Sequence, residues 1–291
     1  MSGPAPASRS AARDPLAVRL LLTAAALAVV ALFLVLPLAV VFAEAFAKGA
    51  GAFWEAVRDP ETLFSVRLTL TVTAIVVAAN LAFGLAAAWA VTRFRFPGRR
   101  LLSSLIELPL SISPVVSGLV FILLLGDAGI LGRHFAAHGV KIIFALPGII
   151  VATLFVTLPY VARELIPLME AGGSQEEEAA LTLGARGWQI FRRVTLPNIS
   201  WGLLYGIVLA SARALGEFGA VSVVSGHVRG ETTTVPLQVE ILYNEYHFAA
   251  AFAVASLLSL LALFTVAVKK LLQRRVAAGR SGGAAAAGGV A

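Results

Sequence analysis

Arg213 and Glu217 are the side chains in this sequence whose type and spacing most invite chemistry on an anion. Both fall inside an apolar stretch, residues 201–224. A lone charge in the middle of such a stretch costs about 2.5–3.5 kcal/mol on insertion scales. Spaced i,i+4, the two share a helix face and can neutralise each other. Arg213 could touch an anionic substrate or a gate, with Glu217 controlling its availability. Alternatively the two form a structural pair that locks helix packing. The structural pair is favoured, because a strong cation left free there would hold any anion too tightly to release it.

A second constellation lies just upstream. Glu178-Ala179-Ala180 is followed by Gly184, then nine residues, then Val194-x-Leu196-Pro197. Ser174 and Glu177 have the spacing of a capping box, and Glu176, Glu177 and Glu178 fall where a helix dipole favours acids. The spacing predicts a helix to about Leu183, stopped at Gly184. A second short helix follows, with Trp188, Phe191, Val194 and Thr195 on one face, and Pro197 starts the turn into the next stretch. Ala179 and Ala180 leave the backbone approachable, so the pair of helices suits a rigid knob in a partner's cleft. The plainer reading is an amphipathic helix lying on a membrane.

A third group is Leu108–Gly118, which packs Pro109, Pro114, Ser111, Ser113, Ser117 and Gly118 together. Each proline frees a backbone carbonyl, which needs a partner or water. Either a kinked helix lines a polar path for an anion, or the serines bond back onto their own helix.

Other chemistries are excluded or weak. There is no cysteine, hence no disulfide, thiolate metal site or cysteine nucleophile. No G-x-x-x-x-G-K-[ST] phosphate loop is present, so the chain cannot hydrolyse ATP by itself. No nucleophile, base and oxyanion donors cluster, which argues against an enzyme. His134 and His138 have helical metal-ligand spacing but no third ligand nearby, so no metal is expected. His227 and His247 are isolated.

The elements that must position these groups are membrane helices. Of 291 residues, 59% are hydrophobic and 13% charged, and the mean hydropathy is +0.88. A spanning helix needs about 20 apolar residues. Stretches of that kind run over 19–43, 66–92, 101–126, 141–168, 201–224 and 249–271, giving an all-α, polytopic fold of six transmembrane helices. The first run, about 24 residues, is too long for a signal-peptide core of roughly 7–15. Residues 1–15 read as a disordered lead, 16–275 as the membrane domain with the polar loop at 174–197, and 276–291 as a flexible Ala/Gly-rich tail.

The net charge of +7 could suggest nucleic acid, but the basic residues are placed by topology. With both termini in the cytoplasm, Arg93, Arg95, Arg99, Arg100, Arg186, Arg192, Arg193, Lys270, Arg274 and Arg275 fall on the cytoplasmic side. Lys48, Arg58, Arg67, Arg133, Lys141 and Arg229 fall outside, as the positive-inside rule requires. No nucleic-acid partner is expected. Outside, Trp54 marks the interface. Residues 226–234 read as polar and flexible, and Pro236 opens a short helix with Leu237, Ile241, Leu242, Tyr246 and Phe248 as apolar anchors. Arg229, Glu231, Glu240 and Tyr243 are candidates for docking a solute-binding protein; the alternative is an interfacial structural helix.

The 178–197 pattern resembles the "EAA" loop of ABC importer permeases, with Val194 where isoleucine is common. Leu108-Pro109 with Ser113–Gly118, Thr195–Ile199, and Arg213-Ala214-Leu215-Gly216-Glu217-Phe218-Gly219 are similar to the sulfate and molybdate permease family. Gly226–Thr232 and Val239–Tyr246 resemble its W-type sulfate subunits. The similarity runs from about 60 to 270.

The resemblance implies a type-I importer permease for sulfate or thiosulfate in a bacterial inner membrane, with residues 178–197 as the ATPase-coupling loop. It implies an ABC ATPase dimer at the cytoplasmic face, a T-type permease as second subunit, and a periplasmic sulfate-binding protein. No cofactor would bind this chain; ATP and Mg would sit on the ATPase. Molybdate or tungstate import is the alternative within the family, and an ion-coupled anion carrier the alternative outside it.

Overall fold

A computed structural model describes the backbone of residues 16–287 and the side chains of residues 16–268, 270 and 271. The lead expected over 1–15 and the tail residues 288–291 lie outside the described residues. Every regular element among the described residues is helical. In chain order they are α1 (Leu16–Val30), α2 (Leu36–Ala45), α3 (Gly49–Arg58), α4 (Pro60–Arg93), α5 (Arg99–Ser111), α6 (Pro114–Leu125), α7 (Gly132–Ala137), α8 (Leu146–Thr157) and α9 (Pro159–Gly172). After these come α10 (Gln175–Thr182), α11 (Gly187–Ile190), α12 (Leu196–Leu215), α13 (Gly219–Val224), α14 (Val235–Asn244) and α15 (Phe248–Ala287).

Five helical runs are long and apolar enough to cross a membrane: Leu16–Ala45, Pro60–Arg93, Leu146–Gly172, Gly187–Leu215 and Phe248–Val268. A sixth is made only by counting α5 and α6 together, and these meet at 108°. The expected span over 101–126 is therefore a broken one. Ser113 sits just before Pro114 with ψ of 131°, as a residue preceding proline prefers. The span expected at 141–168 starts later, at Leu146. The backbone continues helical to Ala287, through the segment read as a tail from 276, where alanines favour helix.

α1 and α2 are joined through a π-helical turn, Ala31–Val35, and α11 and α12 through another, Phe191–Thr195. Both precede a Leu-Pro pair. Proline cannot donate to the carbonyl four residues back. The ladder widens there: Leu36 N–H bonds Ala31 O and Leu196 N–H bonds Phe191 O.

α4 is the central helix. Asp59 caps it by accepting from the Glu61 and Thr62 N–H groups at 3.0 and 3.1 Å, and Pro60 takes the first position. Its buried positions include Thr62, Ser65, Thr69, Thr73, Val76, Asn80, Gly84, Ala88 and Val91, a stripe at helical spacing. Asn80 is fully buried and donates to Thr157 Oγ1 at 2.6 Å.

Two glycines let α9 wedge between α4 and α12. A Cβ on Gly84 would stand 2.7 Å from Val161 Cβ, and one on Gly206 would stand 3.2 Å from Val161 Cα. Small residues of this kind allow the close backbone approach that membrane helices use in place of a hydrophobic drive. Val161, Leu165, Met169, Ala88, Ile199 and Ala210 form the core at that crossing. In contrast α1 buries nothing, as expected of an apolar helix that needs lipid or another chain around it.

Candidate functional site

α10 projects from the body without a single buried residue. The expected capping box does not form. Ser174 Oγ donates instead to Glu178 Oε1 at 2.5 Å, and Glu177 is drawn away by Arg93, whose Nε lies 2.7 Å from Glu177 Oε2. A charge-assisted pair with a distant residue outcompetes a local cap.

The far end of α10 is as expected. Gly184 has φ of +83°, its N–H bonds Leu181 O at 2.9 Å, and Ala185 N–H bonds Ala180 O at 3.0 Å. This is a Schellman closure, which needs a residue in the left-handed region. A Cβ at Gly184 would meet nothing within 4 Å, so the glycine serves the turn and not packing. Glu178 and Ala179 are exposed and Ala180 half-buried, while Leu181 and Leu183 are 62% and 88% exposed. Charged and apolar groups thus stand together on an unpartnered knob.

The return limb differs from expectation at Pro197. No turn occurs there, because the helix runs unbroken from Gly187 to Leu215. The π turn absorbs the proline. Phe191 is buried against Trp89, ring centroids 4.9 Å apart, and Trp188 stacks on Phe191 at 5.5 Å. Val194 and Leu196 are half-buried and Pro197 is exposed. α10 packs on α11 and the π turn, so the two limbs of the 178–197 pattern form one unit.

Arg213 and Glu217 do pair, with Nη1 and Oε2 at 2.6 Å. They do not lie on one continuous helix, as 201–224 would require. α12 ends at Leu215, Gly216 closes it, and α13 begins at Gly219. Glu217 occupies the break, and its Oε1 accepts from Ala220 N–H at 2.9 Å. The Glu217 side chain is 1% exposed and that of Arg213 29%.

α6 follows the other break, and it packs on α13. A Cβ on Gly118 would stand 2.9 Å from Ala220 O, and one on Gly219 would stand 3.1 Å from Pro114 Cβ. Pro114 and Ser117 are thereby brought beside the segment that Glu217 caps. Ser117 is buried and bonds back to Ser113 O at 3.2 Å. Ser111 and Ser113 are exposed.

The 226–234 segment is tied down. Thr232, Thr233 and Thr234 are buried, and Val235 N–H donates to Thr69 Oγ1 at 2.9 Å. Arg229 pairs with Glu61 at 3.1 Å and with Glu245. His227 meets Glu240 at 3.3 Å. Leu237 is fully buried and anchors α14 in the core. Of the docking candidates, Arg229, Glu231 and Tyr243 are exposed and Glu240 is half-buried, with Arg229 and Glu240 held in ion pairs. The His134 and His138 rings lie 4.8 Å apart, tilted by 54°, and His138 Nδ1 lies 2.8 Å from His134 O. No group of three His, Asp or Glu among the described residues could hold a metal ion.

Sequence reasoning missed Arg93, Thr195 as a polar contact, and Asn198. Arg93 reads as one more basic residue at a span end. Asn198 Nδ2 donates to Glu176 Oε2 at 2.5 Å, a contact across the loop that no local spacing announces.

Residues 80–278 match the family of binding-protein-dependent transport system inner membrane components. The sulfate transport system permease protein CysW of Escherichia coli (strain K12) is 51% identical over 246 residues, 84% of each chain. CysW of Synechocystis sp. is 52% identical over 258 residues, 89% of this chain and 94% of the relative. The sulfate transport system permease protein CysT of E. coli K12 is 37% identical over 240 residues, 81% and 87% of the two chains. A crystal structure of a bacterial ABC transporter that imports alginate superposes with a TM-score of 0.75 at 17% identity, covering 89% of this chain and 96% of that one. The fold is therefore shared well beyond the sulfate relatives, and the chain belongs to the family of inner membrane components of binding-protein-dependent transport systems.

Proposed function

We propose that this chain is the W-type permease subunit of an ATP-driven importer that carries sulfate, and thiosulfate, into the cytoplasm across a bacterial inner membrane. The observation that carries the reading is α10: an exposed knob closed by Gly184, on a chain half identical to sulfate transport permeases. An ABC ATPase dimer takes α10 at the cytoplasmic face, where both termini lie, and holds the ATP and Mg. The second permease is a T-type chain, since CysT is a related but distinct sulfate permease. A periplasmic sulfate-binding protein delivers the anion to the opposite face, where Glu231 and Tyr243 are exposed.

ATP binding draws two such knobs together and opens the path outward; hydrolysis resets it. Arg213 and Glu217 act as a structural pair that sets the break between α12 and α13. The test is uptake into proteoliposomes holding this chain with its T-type permease, ATPase and binding protein. Sulfate uptake inhibited by unlabelled thiosulfate and not by molybdate supports the assignment. Molybdate uptake in the absence of sulfate uptake refutes it.

A further inference from the structure

A helix with no buried residue leans heavily on the polar bonds that tie it to its neighbours. α10 is such a helix. One of its ties runs from Glu177 to Arg93, the last residue of α4, beside a separate bond from Asn198 to Glu176. Besides the 2.7 Å contact from Nε, Arg93 Nη2 donates to Glu177 Oε1 at 3.2 Å. The same guanidinium donates to Met169 O at 3.2 Å and Gly173 O at 2.8 Å, carbonyls at the end of α9 that have no helical partner. Glu177 Oε1 also accepts from Thr195 Oγ1 at 2.7 Å, which adds the π turn leading into α12.

The Arg93 and Glu177 side chains are 15% and 16% exposed. A pair shielded to that degree holds its geometry better than a surface pair, which is worth little. Two rigid helices lead away from the node. α4 runs back to the Asn80–Thr157 bond, and the Gly187–Leu215 helix runs up to Arg213.

We infer that Glu177, through Arg93 to α4 and through Thr195 to α12, transmits displacement of α10 into both helices. Arg93 is a positioning residue for transport, distinct from the exposed Ala179 and Leu183. The inference rests on the reading of α10 as the ATPase contact, and the two fail differently. If the wild-type chain retains no ATPase on purification, that reading falls before any variant is made.

The experiment compares wild type, Arg93→Ala and the milder Thr195→Val in the reconstituted complex. Sulfate transported and ATP hydrolysed are measured together. Both variants are expected to keep the ATPase bound and hydrolysing, while sulfate moved per ATP falls about tenfold for Arg93→Ala, within the usual range of a coupling free energy. Thr195→Val should fall in the same direction and carries the test if Arg93→Ala is not recovered. The chain has no cysteine, so Arg93→Cys with Glu177→Cys supplies its only two thiols. A reducible bis-methanethiosulfonate bridge between them should restore transport per ATP, and reduction should remove it again. Wild-type transport per ATP in the variants overturns the inference. So does transport that falls in step with ATPase loss, or a formed bridge that leaves hydrolysis uncoupled.

Discussion

Glu217 meets Arg213 at 2.6 Å across a helix end, and its other oxygen caps the next helix at Ala220. One buried carboxylate thus fixes both sides of the break between α12 and α13. Removing it leaves Arg213 without a counter-charge, and breaking a buried pair costs about 3–5 kcal/mol. Glu217→Ala should lower the thermal midpoint of the detergent-solubilised protein well beyond any other single change at this break. Arg213→Lys keeps the charge and loses only the planar fork. It should assemble and transport with unchanged KM for sulfate; a raised KM would instead put Arg213 in contact with the anion.

The packing of α6 on α13 depends on the absence of a side chain at Gly118. An added Cβ there would stand 2.9 Å from both Ala220 O and Val223 Cβ. Gly118→Val should push the two half-helices apart and destabilise the protein by about 1–3 kcal/mol, the usual cost of overpacking. The measurement is again a thermal melt, with Gly51→Val, where a Cβ meets nothing within 4 Å, as the neutral control.

Asn80 and Thr157 are buried inside the bundle and bonded at 2.6 Å. Their burial suggests a large penalty for loss. In membranes the measured contribution of such bonds averages only about 0.6 kcal/mol, with a maximum near 1.7. Thr157→Val should therefore cost less than Glu217→Ala, and the order of the two melting shifts checks this.

Gly184 is needed for its φ of +83° and for nothing else nearby. A β-branched residue is a genuine outlier in that region. Gly184→Val should leave the membrane helices folded, shown by an unchanged melting midpoint, and should weaken retention of the ATPase on co-purification.

The sequence exposed the membrane helices because long apolar runs have no other use, and it exposed the end of α10 because Gly184 closes a local motif. The breaks were harder. Gly216-Glu217-Phe218 sits between apolar neighbours, so hydropathy passes over it, and Glu217 caps α13 only because tertiary packing buries it. The bend of 108° between α5 and α6 follows from Pro114 together with Gly118 seating on Ala220, and only the proline is visible locally. The Ser174–Glu177 spacing promised a cap that Arg93, 84 residues away from Glu177, took apart. Pro197 looked like a turn because a π-helical bypass leaves no mark in composition.

In the proposed function an ATPase drives sulfate through this chain by way of α10. This is tested most directly by ATP-dependent uptake of radiolabelled sulfate into proteoliposomes. These hold the chain with its T-type permease, ATPase and binding protein, and wild type is compared with Gly184→Asp. The account predicts uptake in the wild type and its loss in the variant, with sulfate affinity of the binding protein unchanged. Uptake that survives Gly184→Asp, or a wild type that moves no sulfate when ATP is supplied, would contradict it.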